Sequence, residues 1–337
     1  MKTVYVVIDP LVSKPDAWEL HTASLLQGYV EVMQLDTQVS IQEIIDLYDI
    51  KLKFDSKLIH HNDVFLFPNA WTSSTIYVRN WAEQNSIAVK MIGFWSRGCY
   101  INDDTEFRPL GDRNWRKVFE RASFRCLDKS IFISEYFKEQ FRIYVSKNVF
   151  PERLRVASFP LDYLSLETDM IKPMVYKQDM IIFPWQQYSE LNEQIVYDFI
   201  RVYEDVKIVF AQERLPLDRS QLLTQVAKSK IAFLPYTYPN IGKEIYECLL
   251  LNTIPLVPAL EGFQGIVPTQ FQYPPEWTSS ILNYSRYAPD FTEKIRELLV
   301  HYNEYVPLME EHAAKAGHVF YSSEFLINEI FGTLQKN

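Results

Sequence analysis

Residues Ile231–Pro258 read IAFLPYTYPNIGKEIYECLLLNTIPLVP. The apolar run IAFLPY ends in a polar turn that holds the segment's one glycine, Gly242. A helix-length stretch follows, and then a second apolar run, IPLVP. Strand, loop, helix, strand is the repeating unit of a parallel α/β sheet. In such sheets a ligand sits beyond the carboxyl ends of the strands, against the loops that open the next helices. Tyr236 to Glu247 occupies that place, with Tyr236, Thr237, Ile241 and Gly242 in the loop. A helix N-terminus presents unpaired N–H groups and the positive end of a dipole, both suited to phosphate. Lys243 is the candidate cation there, because that end of a dipole disfavours a lysine with no anion to meet. Glu247 is the candidate acceptor for a sugar diol, the alternative being an ordinary helix glutamate.

The same alternation extends in both directions. Strands are expected at Thr3–Ile8, Asp63–Phe67, Val89–Phe94, Ser130–Ser134 and Arg153–Phe159, with helices at 17–27, 36–47, 73–84, 113–129 and 135–145. The pattern lapses between Leu164 and Lys177, which reads as a linker. Strands at Asp179–Phe183 and Lys207–Ala211, with helices at 190–203 and 220–229, lead into the central segment. A long helix at 291–315 and a terminal one at 322–334 complete the chain. At 337 residues the expectation is about two domains. Both are α/β and doubly wound, at 1–165 and 166–317.

Several function classes drop out. Neither half carries G-x-G-x-x-G, and the loop after the first strand, DPLVSKPDAWE, has no glycine, which disfavours a nicotinamide dehydrogenase. There is no phosphate-binding G-x-x-x-x-G-K-[ST] loop and no G-x-S-x-G elbow. Three scattered cysteines and one adjacent histidine pair suggest neither disulfides nor a metal site. The N-terminal MKTVYVVIDP reads as a strand rather than a signal peptide, and no run approaches the ~20 apolar residues of a membrane span. A cytoplasmic protein without membrane attachment is the expectation. The net charge of −9 argues against a general nucleic-acid binder, but its distribution is uneven. Residues 1–165 carry 20 basic against 21 acidic side chains and residues 166–337 carry 14 against 22, while 97–155 alone hold 13 against 9. That basic stretch is either a surface for a polyanion or a set of solvated helix faces.

The stretch LDRSQLLTQVAKSKIAFLPYTYPNIGKEIYECLLLNTIPLVP at 217–258, with YPPEWTSS at 273–280, resembles the donor-binding core of GT-B glycosyltransferases. Within them it is similar to a bacteriophage branch of the kind that modifies 5-hydroxymethylated pyrimidines in DNA. More loosely, the resemblance takes in residues 90–142, including RNWRKVFERASFRCLDKSIFISEYF. Such enzymes often carry two glutamates eight residues apart around a loop glycine. Glu247 and Gly242 match the second glutamate and the glycine, while Pro239, which has no side-chain acceptor, stands at the first position.

The resemblance implies two Rossmann-like domains with a cleft between them and a C-terminal helix, within 318–337, crossing back to the first. The first domain would take the acceptor and the second the nucleotide-sugar, a UDP-sugar, with no tightly bound cofactor. In PWQQYSEL at 184–191, Glu190 matches the relatives' glutamate, but Trp185, Gln186 and Gln187 replace basic residues that hold the donor diphosphate. Glutamine still donates hydrogen bonds to phosphate. Arg214 is a second candidate cation at the same sheet edge. In the first domain Asp103 and Asp104 stand where the relatives' acidic residues face the acceptor, and a carboxylate there would deprotonate a hydroxyl. The alternative is turn chemistry, for which Asn-Asp-Asp is ordinary. Arg97, Arg108, Arg113 and Arg116, with Trp95 and Tyr100, would form a basic, aromatic surface for DNA phosphates and an extruded base. Two other readings stand beside this one. The acceptor is a surface or lipid-linked glycan, or the protein binds nucleotide-sugar or DNA without turnover, as Pro239 and the Trp-Gln-Gln replacement suggest.

Overall fold

Alternating apolar runs become parallel strands. The computed structural model describes residues 2–8, 17–34, 38–96, 98, 100, 114–145, 151–172, 176–183, 194–195, 197–198, 201, 206–210, 218–236 and 239–332. They belong to two units, 1–160 with 322–337, and 161–321.

In the first unit the order is β1 (Lys2–Val7), α1 (Ala17–Val32), β2 (Val39–Ile44), α2 (Leu47–Asp55), β3 (Val64–Phe67), α3 (Ser74–Gln84), β4 (Lys90–Phe94), α4 (Asn114–Cys126), β5 (Lys129–Phe132), α5 (Glu135–Val145) and β6 (Leu154–Val156). The sheet order is β2-β1-β3-β4-β5-β6, and every neighbouring pair is parallel. All four residues of β3 are buried, which is why it reads as an unbroken apolar run rather than an alternating one.

The helix expected over 36–47 is not formed. Val39–Ile44 instead pairs along its whole length with β1, from Lys2↔Val39 to Val7↔Ile44. It is an edge strand with only its two end residues buried, so its sequence shows no period of two. The helix begins later, where the Asp46 carboxylate accepts from the Tyr48 N–H at 2.8 Å.

The second unit runs α6 (Tyr163–Ile171), β7 (Gln178–Phe183), β8 (Lys207–Phe210), α7 (Arg219–Lys228), β9 (Ser229–Phe233), α8 (Lys243–Leu250), β10 (Ile254–Pro258), β11 (Gln272–Tyr273), α9 (Ile281–Val300) and α10 (Tyr302–Val319). Its sheet, β11-β10-β9-β7-β8, is likewise parallel. From β7 the chain first adds β8 on one side and then β9 on the other, so the order reverses between β7 and β9. The expected linker at 164–177 is in large part α6. Leu164, Thr168 and Ile171 bury one side of it, and the interspersed Glu167 and Asp169 disguised that stripe. The single long helix expected over 291–315 is two helices that meet at His301. Most of the helix expected over 190–203 lies outside the described residues.

The last helix, α11 (Glu324–Phe331), belongs to the first unit. The Lys2 ammonium donates to the Ile330 carbonyl at 3.0 Å. Glu329 pairs with Lys129 at 2.6 Å and also with Lys90, so lysines from the starts of three strands hold this helix. No helix among the described residues is long and apolar enough to cross a membrane.

Candidate functional site

A parallel sheet offers its ligand crevice where the strand order reverses, at the carboxyl ends of the two strands involved. In the second unit those strands are β7 and β9, and the loop leaving β9 is 234–242. Its path is fixed at both ends. The Leu234 N–H donates to the Leu256 carbonyl at 3.0 Å, extending the pairing with β10. The Gly242 N–H donates to Asn240 Oδ1 at 2.8 Å, and Tyr321 Oη donates to the Ile241 carbonyl at 2.8 Å. Tyr321 is fully buried and stacks on Tyr246 with ring centroids 4.4 Å apart.

Gly242 opens α8 in the left-handed conformation, φ 71°. A side chain is excluded twice over: φ is unfavourable, and a Cβ would lie 2.7 Å from Tyr321 Oη. Among the described residues the first turn of α8 has no side-chain cap, which leaves its amides as candidate donors. Tyr236 lies in the same loop, 3.4 Å from Glu244 Oε2 through its hydroxyl and 5.4 Å from the Phe263 ring. Burial and the nearby Glu244 carboxylate raise its pKa well above the ordinary phenol value.

Lys243 is the first residue of α8, and its ammonium lies 3.9 Å from Glu247 Oε1. Glu247 is 1% exposed. Burial pushes its pKa up, and Lys243 and Arg219 pull it back. Arg219 Nη2 donates to Glu247 Oε1 at 2.8 Å and to Glu167 Oε2 at 2.6 Å, with Nε reaching the same Glu167 oxygen at 3.0 Å. Glu247, the candidate acceptor for a sugar diol, thus has one of its oxygens tied into an ion-pair network. Among the described residues no hydrogen bond reaches the other oxygen, Oε2.

Arg219 and Glu167 were not singled out in the sequence, although a signal was present. Asp218 and Gln221 form a reciprocal capping box, which makes Arg219 the first residue of α7. An arginine at a helix N-terminus opposes the dipole and implies a carboxylate partner. Of the other donor candidates, Gln186, Gln187, Arg214 and Thr237 lie outside the described residues.

The aromatic surface expected in the first unit is instead interior. Trp95 is 1% exposed and Tyr100 is fully buried. Both pack on Phe141 of α5, at centroid distances of 4.6 and 5.3 Å, and Tyr100 Oη donates to the Trp95 carbonyl at 2.9 Å. Large rings at the end of a central strand bury more apolar area under the neighbouring helix than they could outside it. Arg116 is 3% exposed, one turn before the fully buried Glu120, so it is an interior residue of α4 rather than a surface cation. Arg97, Asp103, Asp104, Arg108 and Arg113 lie outside the described residues.

No protein-family model and no curated protein sequence matches the chain. Solved structures do. Sucrose-phosphate synthase from Thermosynechococcus elongatus superposes with a TM-score of 0.64 at 10% identity, over 100% of this chain and 98% of that one. Anabaena HepE, in complex with UDP, gives 0.59 at 12% identity over 100% of both chains. TarM from S. aureus, solved with UDP among its ligands, gives 0.57 at 12% over 86% of this chain and 58% of that one. The fold is GT-B. At these identities the fold is what the GT-B proteins and this chain share. It comprises two Rossmann-like α/β units, with the C-terminal helix returning to the first.

Proposed function

We propose that the protein is a glycosyltransferase that binds a UDP-sugar at the carboxyl end of β9 and passes the sugar to a hydroxyl acceptor. The observation that carries this reading is the sequence of groups along one helix start. A left-handed glycine opens α8, a lysine follows it, and a buried glutamate sits one turn further on. In this reading the free amides of α8 and Lys243 meet the donor diphosphate, and Glu247 Oε2 accepts from the ribose diol. As the bond from the sugar C1 to the diphosphate breaks, charge grows on the leaving oxygens, where fixed donors stabilise it. HepE, whose structures hold UDP and UDP-glucose, lends support.

For the acceptor, the resemblance favours the hydroxymethyl group of a modified pyrimidine in DNA. Its oxygen would form the new bond to C1 while its proton passes to Asp103 or Asp104. The surplus of 13 basic over 9 acidic residues in 97–155 supports a polyanion there. With Trp95, Tyr100 and Arg116 buried, phosphate contact would fall to Arg97, Arg108 and Arg113 and to exposed Arg121 and Arg125 of α4. A second reading, binding without turnover, draws on Pro239, which is buried and offers no acceptor where relatives carry a glutamate.

Release of UDP from UDP-sugars, measured with hydroxymethylated and unmodified DNA, separates these readings. The proposal expects release that requires the hydroxymethyl group. Release that ignores DNA would remove the DNA acceptor, and UDP binding without any release would favour the second reading.

A further inference from the structure

We propose that Arg219 is a positioning residue of the donor site: by bridging Glu167 and Glu247 it aims the Glu247 carboxylate and holds it as an anion for the ribose diol of a nucleoside diphosphate. This rests on the donor reading given above and adds to it a residue with no ligand contact of its own.

A carboxylate that is 1% exposed is stable as an anion only if a cation and hydrogen bonds compensate its lost hydration. Arg219 is the one group within hydrogen-bond distance of that carboxylate among the described residues, at 2.8 Å. Its planar fork is fixed from the other side by two hydrogen bonds to Glu167 Oε2. Three helices are thereby joined through one guanidinium: Glu167 on α6, Arg219 on α7 and Glu247 on α8. Lys243, on a flexible stem at 3.9 Å, contributes charge without a hydrogen bond. Among the described residues Oε2 has no hydrogen-bond partner while Oε1 is fixed, so the direction of the remaining acceptor is set before any ligand arrives.

Among the described residues the other titratable groups around Glu247 are few. Glu244 and Cys248 flank it on α8, and Tyr236 and Tyr321 approach from the preceding loop and from the end of α10. Strand β10 carries no titratable side chain. Burial is what chiefly opposes ionisation of Glu247, and Glu244 adds to it; Lys243 by its charge, and Arg219 by charge and hydrogen bond, are the groups that favour the anion.

Without the arginine charge the pKa of Glu247 moves further up, and the buried carboxyl is protonated at a pH where it was an anion. Affinity that depends on the anion is then lost at low pH and regained as pH rises. UDP titrates in the same range, but this cancels when the variant is divided by the wild type at each pH.

The experiment is calorimetric titration of UDP from pH 6 to 9 into wild type, Arg219→Gln, Arg219→Lys, Glu247→Gln and the double variant Arg219→Gln/Glu247→Gln. The Kd ratio of Arg219→Gln to wild type should be largest at low pH and fall by up to about tenfold per pH unit, the limit for one linked proton. Arg219→Lys, which keeps the charge, should show a much flatter ratio, and so should the double variant measured against Glu247→Gln. A loss of affinity in Arg219→Gln that is the same at every pH would mean a merely structural arginine and overturn the proposal. So would a pH-dependent loss that persists when Glu247 is already glutamine. Wild type that fails to bind UDP would instead overturn the donor reading itself.

Discussion

Replacing Gly242 by alanine tests whether the turn that opens α8 is as constrained as its geometry implies. Two costs arise. Alanine in the left-handed conformation loses about 1–2 kcal/mol. Its Cβ also falls 2.7 Å from Tyr321 Oη, so the hydroxyl must move and give up its 2.8 Å hydrogen bond to the Ile241 carbonyl. Losing that bond in a buried setting costs about 1–3 kcal/mol. Gly242→Ala should therefore destabilise the second unit by about 2–5 kcal/mol. Tyr321→Phe removes the same hydrogen bond at about 1–3 kcal/mol, and with it the clashing oxygen. The bond can be lost only once, so the double variant should be better than the sum of the singles by about 1–3 kcal/mol. Urea denaturation of the full chain, with residues 161–321 followed by peptide-resolved hydrogen exchange, measures all three. Additivity within about 0.5 kcal/mol would refute the reasoning, because it would mean that the methyl and the hydroxyl never meet.

Three further outcomes are expected. Lys177 donates to the Ser229 carbonyl at 2.7 Å and to Thr253 Oγ1 at 2.6 Å, and burial pulls its pKa down to about 7. The unfolded chain holds that proton up to a higher pH, so wild type should gain stability between about pH 7 and 10 relative to Lys177→Met in thermal melts. Burial alone would raise the Glu329 pKa, but hydrogen bonds from Lys129 and Lys90 bring it below the usual glutamate value. Its contribution should be present at neutral pH and lost as pH falls through the acid range, and Glu329→Gln should speed hydrogen exchange over 324–331 at pH 7. Asp103→Asn or Asp104→Asn, assayed separately on hydroxymethylated DNA, should keep UDP affinity while turnover falls by roughly 10²–10⁴-fold for a lost general base.

What was legible in the sequence followed from burial on both faces of a sheet. Runs such as VFLF in β3 and IPLVP in β10 are apolar throughout because every residue in them is buried, the pattern expected of a parallel sheet. The edge strand β2 reads as a helix from sequence alone, since VSIQEI buries only its end residues and edge position is decided by long-range pairing with β1. Helix α6 was hidden for a related reason: its buried stripe is interrupted by Glu167, whose role is to meet Arg219 some fifty positions later. At the site, Gly242, Lys243 and Glu247 could be placed from local spacing alone. The Glu167–Arg219–Glu247 bridge could not, because it joins three helices that only the tertiary fold brings together. Trp95 and Tyr100 show the reverse error. Aromatics next to arginines suggest a binding surface, but their rings serve the core beneath α5.

The central claim is that a uridine diphosphate sits against the first turn of α8, and hydrogen exchange of the full chain with and without UDP tests it without any substitution. The amides of Lys243, Glu244 and Ile245 precede the first internal bond of the helix, which the Tyr246 N–H makes to the Gly242 carbonyl at 2.9 Å. Saturating UDP should slow exchange across 240–247. Strands and helices of the first unit should remain unchanged. Binding of UDP with no protection at 240–247, or protection confined to residues 1–160, would contradict the assignment of this helix start as the donor site.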